Sequence, residues 1–311
     1  MLKSLVFNGG VLDFLRFVSR NTFINGFSAS QIRLVRKMKT LLTVSGVGKN
    51  VRLRRILKDG RAVVLAMDHG IEHGPKDFIE PHLDPNVIID KVAKAGVDGI
   101  MLPRGLARLT WESWANRIPL IVKVTGKTSL RPKERQYTQN LISTVEDAVA
   151  LGAEAVAATV YWGAPEEEQM LEQFTEIAAA CEVYGMPLLN LAYPRGPHMA
   201  NQNDVEIVRY AARAAAEVGA DLIKTYWTGS EETFREVVKA TPVPVLMSGG
   251  AKTEEPRQFL EVTKQVMKAG GKGVVVGRNV FQRENATEMV KAIMKIVHED
   301  ASVDEAMKLL R

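Results

Sequence analysis

Cysteine, histidine and long apolar runs are scarce in this chain, and each scarcity excludes something. A single cysteine, Cys181, stands among 311 residues. One thiol cannot build a disulfide framework and fits a reducing compartment, so a cytoplasmic setting is expected. Cys181 falls within a helical pattern, which reads as core and not as a nucleophile. The five histidines (His69, His73, His82, His198 and His298) are too few for a rich metal centre. No run of about 18 apolar residues occurs, so no membrane-spanning helix and no membrane partner are expected. A doubly wound nucleotide-binding sheet would carry a glycine fingerprint after its first strand; here that place reads Asp68-His69-Gly70.

Acidic residues are nearly missing from the start of the chain. In the first 60 positions only Asp13 and Asp59 stand against 12 Lys and Arg, whereas the rest carries 29 Lys and Arg against 34 acids. The later region is therefore mildly acidic and offers nothing to a nucleic acid. The basic stretch reads as a peripheral, loosely ordered segment over residues 1–37. A targeting or membrane-surface helix, an oligomer arm and a true start at Met38 are the other readings. Residues 1–50 form the expected extension, and residues 51–311 the expected single domain.

Past residue 60 the pattern becomes regular. Strand-like apolar runs recur at 62–67, 98–102, 119–124, 154–160, 187–192, 220–225, 243–247 and 273–276. Helical patterns separate most of them, clearest at 85–95, 144–151, 165–184, 204–217, 230–240, 255–269 and 286–297. Several helices end alike, in Gly96-Val97-Asp98, Gly152-Ala153-Glu154, Gly219-Ala220-Asp221 and Gly270-Gly271-Lys272. The glycine closes a helix in the left-handed conformation before a buried strand begins. Eight continuous apolar strands alternating with helices predict an α/β fold, a (β/α)8 TIM barrel.

In that architecture the active site lies at the C-terminal strand ends. Lys224 ends the sixth run among apolar neighbours. A buried ammonium is costly unless paired or deprotonated, and a lysine of lowered pKa is the nucleophile that imine chemistry needs. The competing reading has Lys224 reaching water or pairing with Asp221. Lys123 in the third run either lowers the Lys224 pKa by repulsion or pairs with Asp68 inside the barrel. Ser248-Gly249-Gly250 and Gly277-Arg278-Asn279 follow the seventh and eighth runs, the usual phosphate cradle of such barrels. Asp68 and His73, with His69 and Glu72 between them and His198 elsewhere, also have the look of metal ligands. A protonated imine is its own electron sink, so neither metal nor other cofactor is expected.

Asp68-His69-Gly70-Ile71-Glu72-His73-Gly74-Pro75, Gly126-Lys127-Thr128, Tyr193-Pro194-Arg195-Gly196, Met247-Ser248-Gly249-Gly250 and Gly277-Arg278-Asn279 together resemble the archaeal-type class I fructose-bisphosphate aldolases. The resemblance spans roughly residues 50–310. It implies Lys224 as the Schiff-base lysine, Tyr193 as general acid/base and Asp68 near the imine. Ser248, Gly249, Gly250, Gly277, Arg278, Arg195, Lys123 and His69 become the expected substrate and phosphate contacts, with Arg195 or Lys127 on a distal phosphate. A rim of Lys224, Arg195 and Lys123 should favour the charged form of Tyr193. One departure is Leu191, where these aldolases carry tryptophan. A sister enzyme, 2-amino-3,7-dideoxy-D-threo-hept-6-ulosonate synthase, is similar at Gly48-Lys49-Asn50-Val51-Arg52-Leu53, at Lys224-Thr225 and in the tail from Val297 to Met307. A thiolase of quorum-signal breakdown shares Lys224-Thr225-Tyr226, and a non-catalytic sugar-phosphate-binding barrel is the reading outside enzymes. The resemblance further implies a sugar-phosphate partner and a homo-oligomer, decameric in ring-forming relatives.

Overall fold

The computed structural model describes residues 44–311. The segment expected to be peripheral, residues 1–37, and the alternative start at Met38 lie outside the described residues. Eight parallel strands close a barrel: β1 (Ala62–Ala66), β2 (Gly99–Pro103), β3 (Leu120–Lys123), β6 (Ala155–Trp162), β7 (Leu188–Pro194), β8 (Leu222–Thr225), β9 (Val245–Ser248) and β10 (Gly273–Val276). Two short strands, β4 (Thr125–Gly126) and β5 (Asn140–Leu141), pair antiparallel between β3 and β6. All eight expected barrel strands form, each within a few residues of its apolar run.

The runs are continuously apolar because both strand faces are buried. Ala62, Val64 and Ala66 point into the barrel interior, where they meet Met101, Ile121, Leu189, Leu222, Leu246 and Val275. Val63 and Leu65 point outward and pack beneath the helical ring. That ring contains helices at Pro85–Ala95, Glu167–Tyr184, Val205–Glu217, Glu231–Ala240, Pro256–Lys268 and Ala286–Glu299. The four helix-closing glycines do adopt left-handed φ, at 81° for Gly96, 71° for Gly152, 108° for Gly219 and 94° for Gly270.

The acids that follow three of those glycines sit at strand starts, on the face opposite the site. A helix over 44–56 closes that face and runs without interruption through residue 50, where the extension was expected to end. Ile56 is buried in the interior cluster, with Leu53 and Leu57 packed against it. Cations of this segment meet the strand-start acids: Lys49 with Asp221 at 3.1 Å, Arg55 with Glu154 at 2.7 Å and Lys58 with Asp98 at 3.1 Å. Asp221 also accepts from the Leu188 amide at 2.9 Å. Asp221 therefore serves the bottom of the barrel, and the pairing with Lys224 weighed from sequence does not form. Among the described residues no helix is long and apolar enough to cross a membrane.

Candidate active site

Ten of the residues expected to carry catalysis or hold substrate come together at the C-terminal mouth. Asp68, His69, Tyr193, Arg195, Lys224, Ser248, Gly249, Gly250, Gly277 and Arg278 line one cavity. Lys123 does not. It is completely buried beneath the cavity, with Nζ 3.4 Å from Asp68 Oδ2 and 3.6 Å from Glu72 Oε1. The ion-pair reading of Lys123 thus replaces the expectation that it touches substrate. Lys127 also stays out of the lining, donating to Gln136 Oε1 at 2.6 Å.

Lys224 stands between Leu191 of β7 and Leu246 of β9 in the barrel register. Burial destabilises its ammonium and lowers its pKa; Asp68 and Glu72 oppose the shift, and Arg278 adds to it. Burial would also raise the Asp68 carboxyl, but Lys123, His69 and Lys224 outweigh it and hold that carboxyl well below the usual range. The same desolvation pushes His69 down to about 4 against the pull of Asp68, so its imidazole is neutral. His73 turns to Asp77, 2.7 Å away, and His198 lies in a different surface hollow; among the described residues no three His, Cys, Asp or Glu side chains are grouped so as to hold a metal ion.

Tyr193 overturns one expectation. Burial raises its pKa above that of an ordinary phenol, and Asp68 adds to the rise. The Ser248 hydrogen bond at 3.1 Å and the cations Arg195 and Lys123 pull the other way and lose. Tyr193 rests as a neutral phenol because desolvation exceeds the cationic field of the rim.

The last two loops form a continuous wall. Asn279, buried in the turn Arg278–Phe281, donates to Gly249 O at 2.9 Å and Ala251 O at 2.8 Å. Its own side-chain oxygen accepts from the Thr253 amide at 3.0 Å, which fixes one loop against the other. A Cβ on Gly277 would run into the His69 ring, so glycine here lets the eighth loop close on the first without displacing that ring. The Arg278 Nε is buried without a hydrogen-bond partner. A buried guanidinium donor left free beside glycine loops is suited to an anion.

Four residues of the site, Glu72, Gln139, Tyr161 and Tyr226, were not among the expected catalytic or substrate contacts. Glu72 sits in a one-turn helix, His69–His73, and accepts from Gln139 Nε2 at 2.9 Å. The same Gln139 nitrogen reaches the Tyr161 hydroxyl at 2.7 Å. Arg195 donates to Tyr161 at 3.4 Å and to Tyr226 at 2.6 Å. Tyr161 ends an apolar run and was visible as a polar strand end. Gln139 comes from the long β3–β6 connection and had no signal at all. Cys181, by contrast, is buried in Glu167–Tyr184 and its thiol is pushed up to about 12 by burial, as befits a core residue.

With this geometry in place, comparison with known proteins is consistent in one direction. The model of the DeoC/LacD family aldolases matches residues 62–283. The class 1 fructose-bisphosphate aldolase of Thermoproteus tenax is 40% identical over 260 residues, covering 83% of this chain and 97% of that protein. The class 1 enzyme of Halobacterium salinarum is 37% identical over 255 residues, covering 81% and 96%. A solved archaeal fructose-1,6-bisphosphate aldolase, with its catalytic lysine covalently bound to the carbinolamine intermediate of its substrate, superposes with a TM-score of 0.76 at 40% identity, covering 80% of this chain and 99% of that one. The chain belongs to the DeoC/LacD family of aldolases.

Proposed function

We propose that this protein is a class I aldolase cleaving fructose 1,6-bisphosphate to dihydroxyacetone phosphate and glyceraldehyde 3-phosphate, with Lys224 as the imine-forming residue. The observation that carries the reading is Lys224 itself, buried at a strand end with its pKa lowered and facing the Tyr193 ring, whose centroid lies 5.9 Å from Nζ. The matched relatives named for this reaction support the choice of ketose.

The chemistry follows from the protonation states. Neutral Lys224 attacks the C2 carbonyl. Tyr193, resting protonated, donates its proton to the carbinolamine hydroxyl, which leaves as water as the nitrogen lone pair forms the iminium. The new positive charge then favours phenolate in the cavity, so Tyr193 next accepts the C4 hydroxyl proton. The C3–C4 bond breaks, its electrons pass into the iminium to give the enamine, and the aldehyde departs. Tyr193 returns its proton to C3, and hydrolysis frees the amine. Asp68, kept ionised by Lys123, stabilises the iminium. Ser248, Gly249, Gly250, Gly277 and Arg278 hold the 1-phosphate, with His69 bracing the eighth loop. Arg195, which lines the cavity where Lys127 does not, holds the distal phosphate. The same reading carries a cytoplasmic setting, which rests on the single cysteine, and a homo-oligomer, which rests on the resemblance.

The test is release of both triose phosphates from fructose 1,6-bisphosphate, measured with and without a chelator. Turnover insensitive to chelation is expected. Failure to cleave this ketose, or turnover abolished by chelation, contradicts the assignment.

A further inference from the structure

The register of the sheet brings two residue pairs together. Leu189 faces Leu222 and Leu191 faces Lys224, so the next position along sets Tyr193 opposite Tyr226. The two rings are stacked, with centroids 4.6 Å apart and planes within 6° of parallel. Below them the Thr225 hydroxyl donates to Ala192 O at 2.8 Å and ties the strand ends together. Two residues beyond Tyr193 on the same chain segment lies Arg195, whose Nη2 donates to the Tyr226 hydroxyl at 2.6 Å.

Arg195 is held by aromatic groups alone among the described residues. Besides Tyr226 it reaches the Tyr161 hydroxyl, and its guanidinium sits 4.8 Å from the Tyr161 ring centroid and 5.8 Å from that of Tyr193. Phenols orient a guanidinium without cancelling its charge. Two of the five N–H donors are engaged, and the others remain for an oxyanion. Of the two hydroxyl contacts, the one to Tyr226 is the shorter and so does most to set the aim.

We propose that Tyr226 is a positioning residue that couples grip on the distal phosphate to proton transfer. Its hydroxyl aims Arg195 at that phosphate, while its ring holds the plane of Tyr193. The inference rests on the aldolase reading and on Arg195 as the distal-phosphate ligand. It makes Tyr226 a determinant of preference for ketose bisphosphates over ketose monophosphates.

The test compares kcat/KM for fructose 1,6-bisphosphate with that for fructose 1-phosphate, which lacks the distal group. Tyr226→Phe keeps the stacked ring and removes the acceptor. Its bisphosphate-to-monophosphate ratio should fall roughly ten- to hundredfold, the size expected for loss of a hydrogen bond to a charged group. Tyr226→Leu removes the ring too and should add a fall of about threefold or more in kcat on both ketoses. Borohydride adduct formation on Lys224 confirms that each variant has folded its site. Should Tyr226→Phe lower both substrates equally while Arg195→Met lowers the ratio, Tyr226 does not position Arg195 and the inference is overturned with the substrate assignment intact. Should Arg195→Met leave the ratio unchanged, the distal-phosphate assignment fails, and the inference with it.

Discussion

Lys123→Met probes the electrostatic foundation of the site. The ammonium lies completely buried between two carboxylates, 3.4 Å from Asp68 and 3.6 Å from Glu72. Methionine fills a similar volume but leaves both carboxylates buried side by side without their cation. Removing one partner of a buried pair costs about 3–5 kcal/mol. At about 2–4 °C per kcal/mol for a chain of this size, Tm should fall by about 6–20 °C. The kinetic consequence has a definite sign. Asp68 and Glu72 both raise the Lys224 pKa, so without Lys123 their uncompensated field raises it further. The acid limb of kcat/KM should therefore move to higher pH. Stability follows the same logic. A carboxyl depressed in the folded state stabilises above the ordinary carboxylate range and loses that contribution as pH falls through its folded value. Without Lys123 the Asp68 contribution should begin to fail at higher pH. Adding Glu72→Gln removes one uncompensated charge and should restore part of the loss. Thermal melts and pH–rate profiles of the single and double variants measure both effects. A Tm within about 2 °C of wild type, together with an unmoved acid limb, would refute the reasoning, since burial of an unpaired charge cannot be that cheap.

Tyr193→Phe keeps the ring and removes the proton, so kcat should fall about 10²–10⁴-fold with KM little changed; a raised KM at unchanged kcat would make Tyr193 a binding residue instead. Truncation separates the start of the chain into two parts. Loss of residues 1–37 should leave melting and turnover nearly intact, whereas loss through residue 57 strips Ile56 and Leu57 from the barrel interior and should prevent stable folding. If the two truncations melt alike, the helix over 44–56 is not an integral closure of the barrel. Cys181, buried and with its thiol pushed up to about 12, should resist iodoacetamide near pH 8 until the protein is denatured; rapid alkylation of the native protein would place it nearer the surface.

The barrel was legible because a parallel sheet buried on both faces leaves a continuous apolar run for every strand. A charged residue at the end of such a run points to the mouth, as at Lys224 and Asp68, although Lys123 at the end of β3 is buried beneath it. What the sequence hid depends on tertiary proximity. Nothing local announces that Gln139, 67 residues from Glu72, will bridge it to Tyr161. The one-turn helix His69–His73 is too short to show periodicity. The strand-start acids read as helix–strand punctuation, yet they also receive the cations of the basic segment. The Tyr193 shift was misjudged because neighbouring charges can be counted in a sequence and desolvation cannot.

The central claim is that Lys224 carries the substrate as an imine. Incubation with fructose 1,6-bisphosphate and borohydride, followed by peptide mass analysis, tests it directly. A reduced adduct confined to the peptide containing Lys224, and missing from an inactive Lys224→Met variant, is the predicted result. An adduct on another lysine, or turnover at wild-type rate in Lys224→Met, would contradict it.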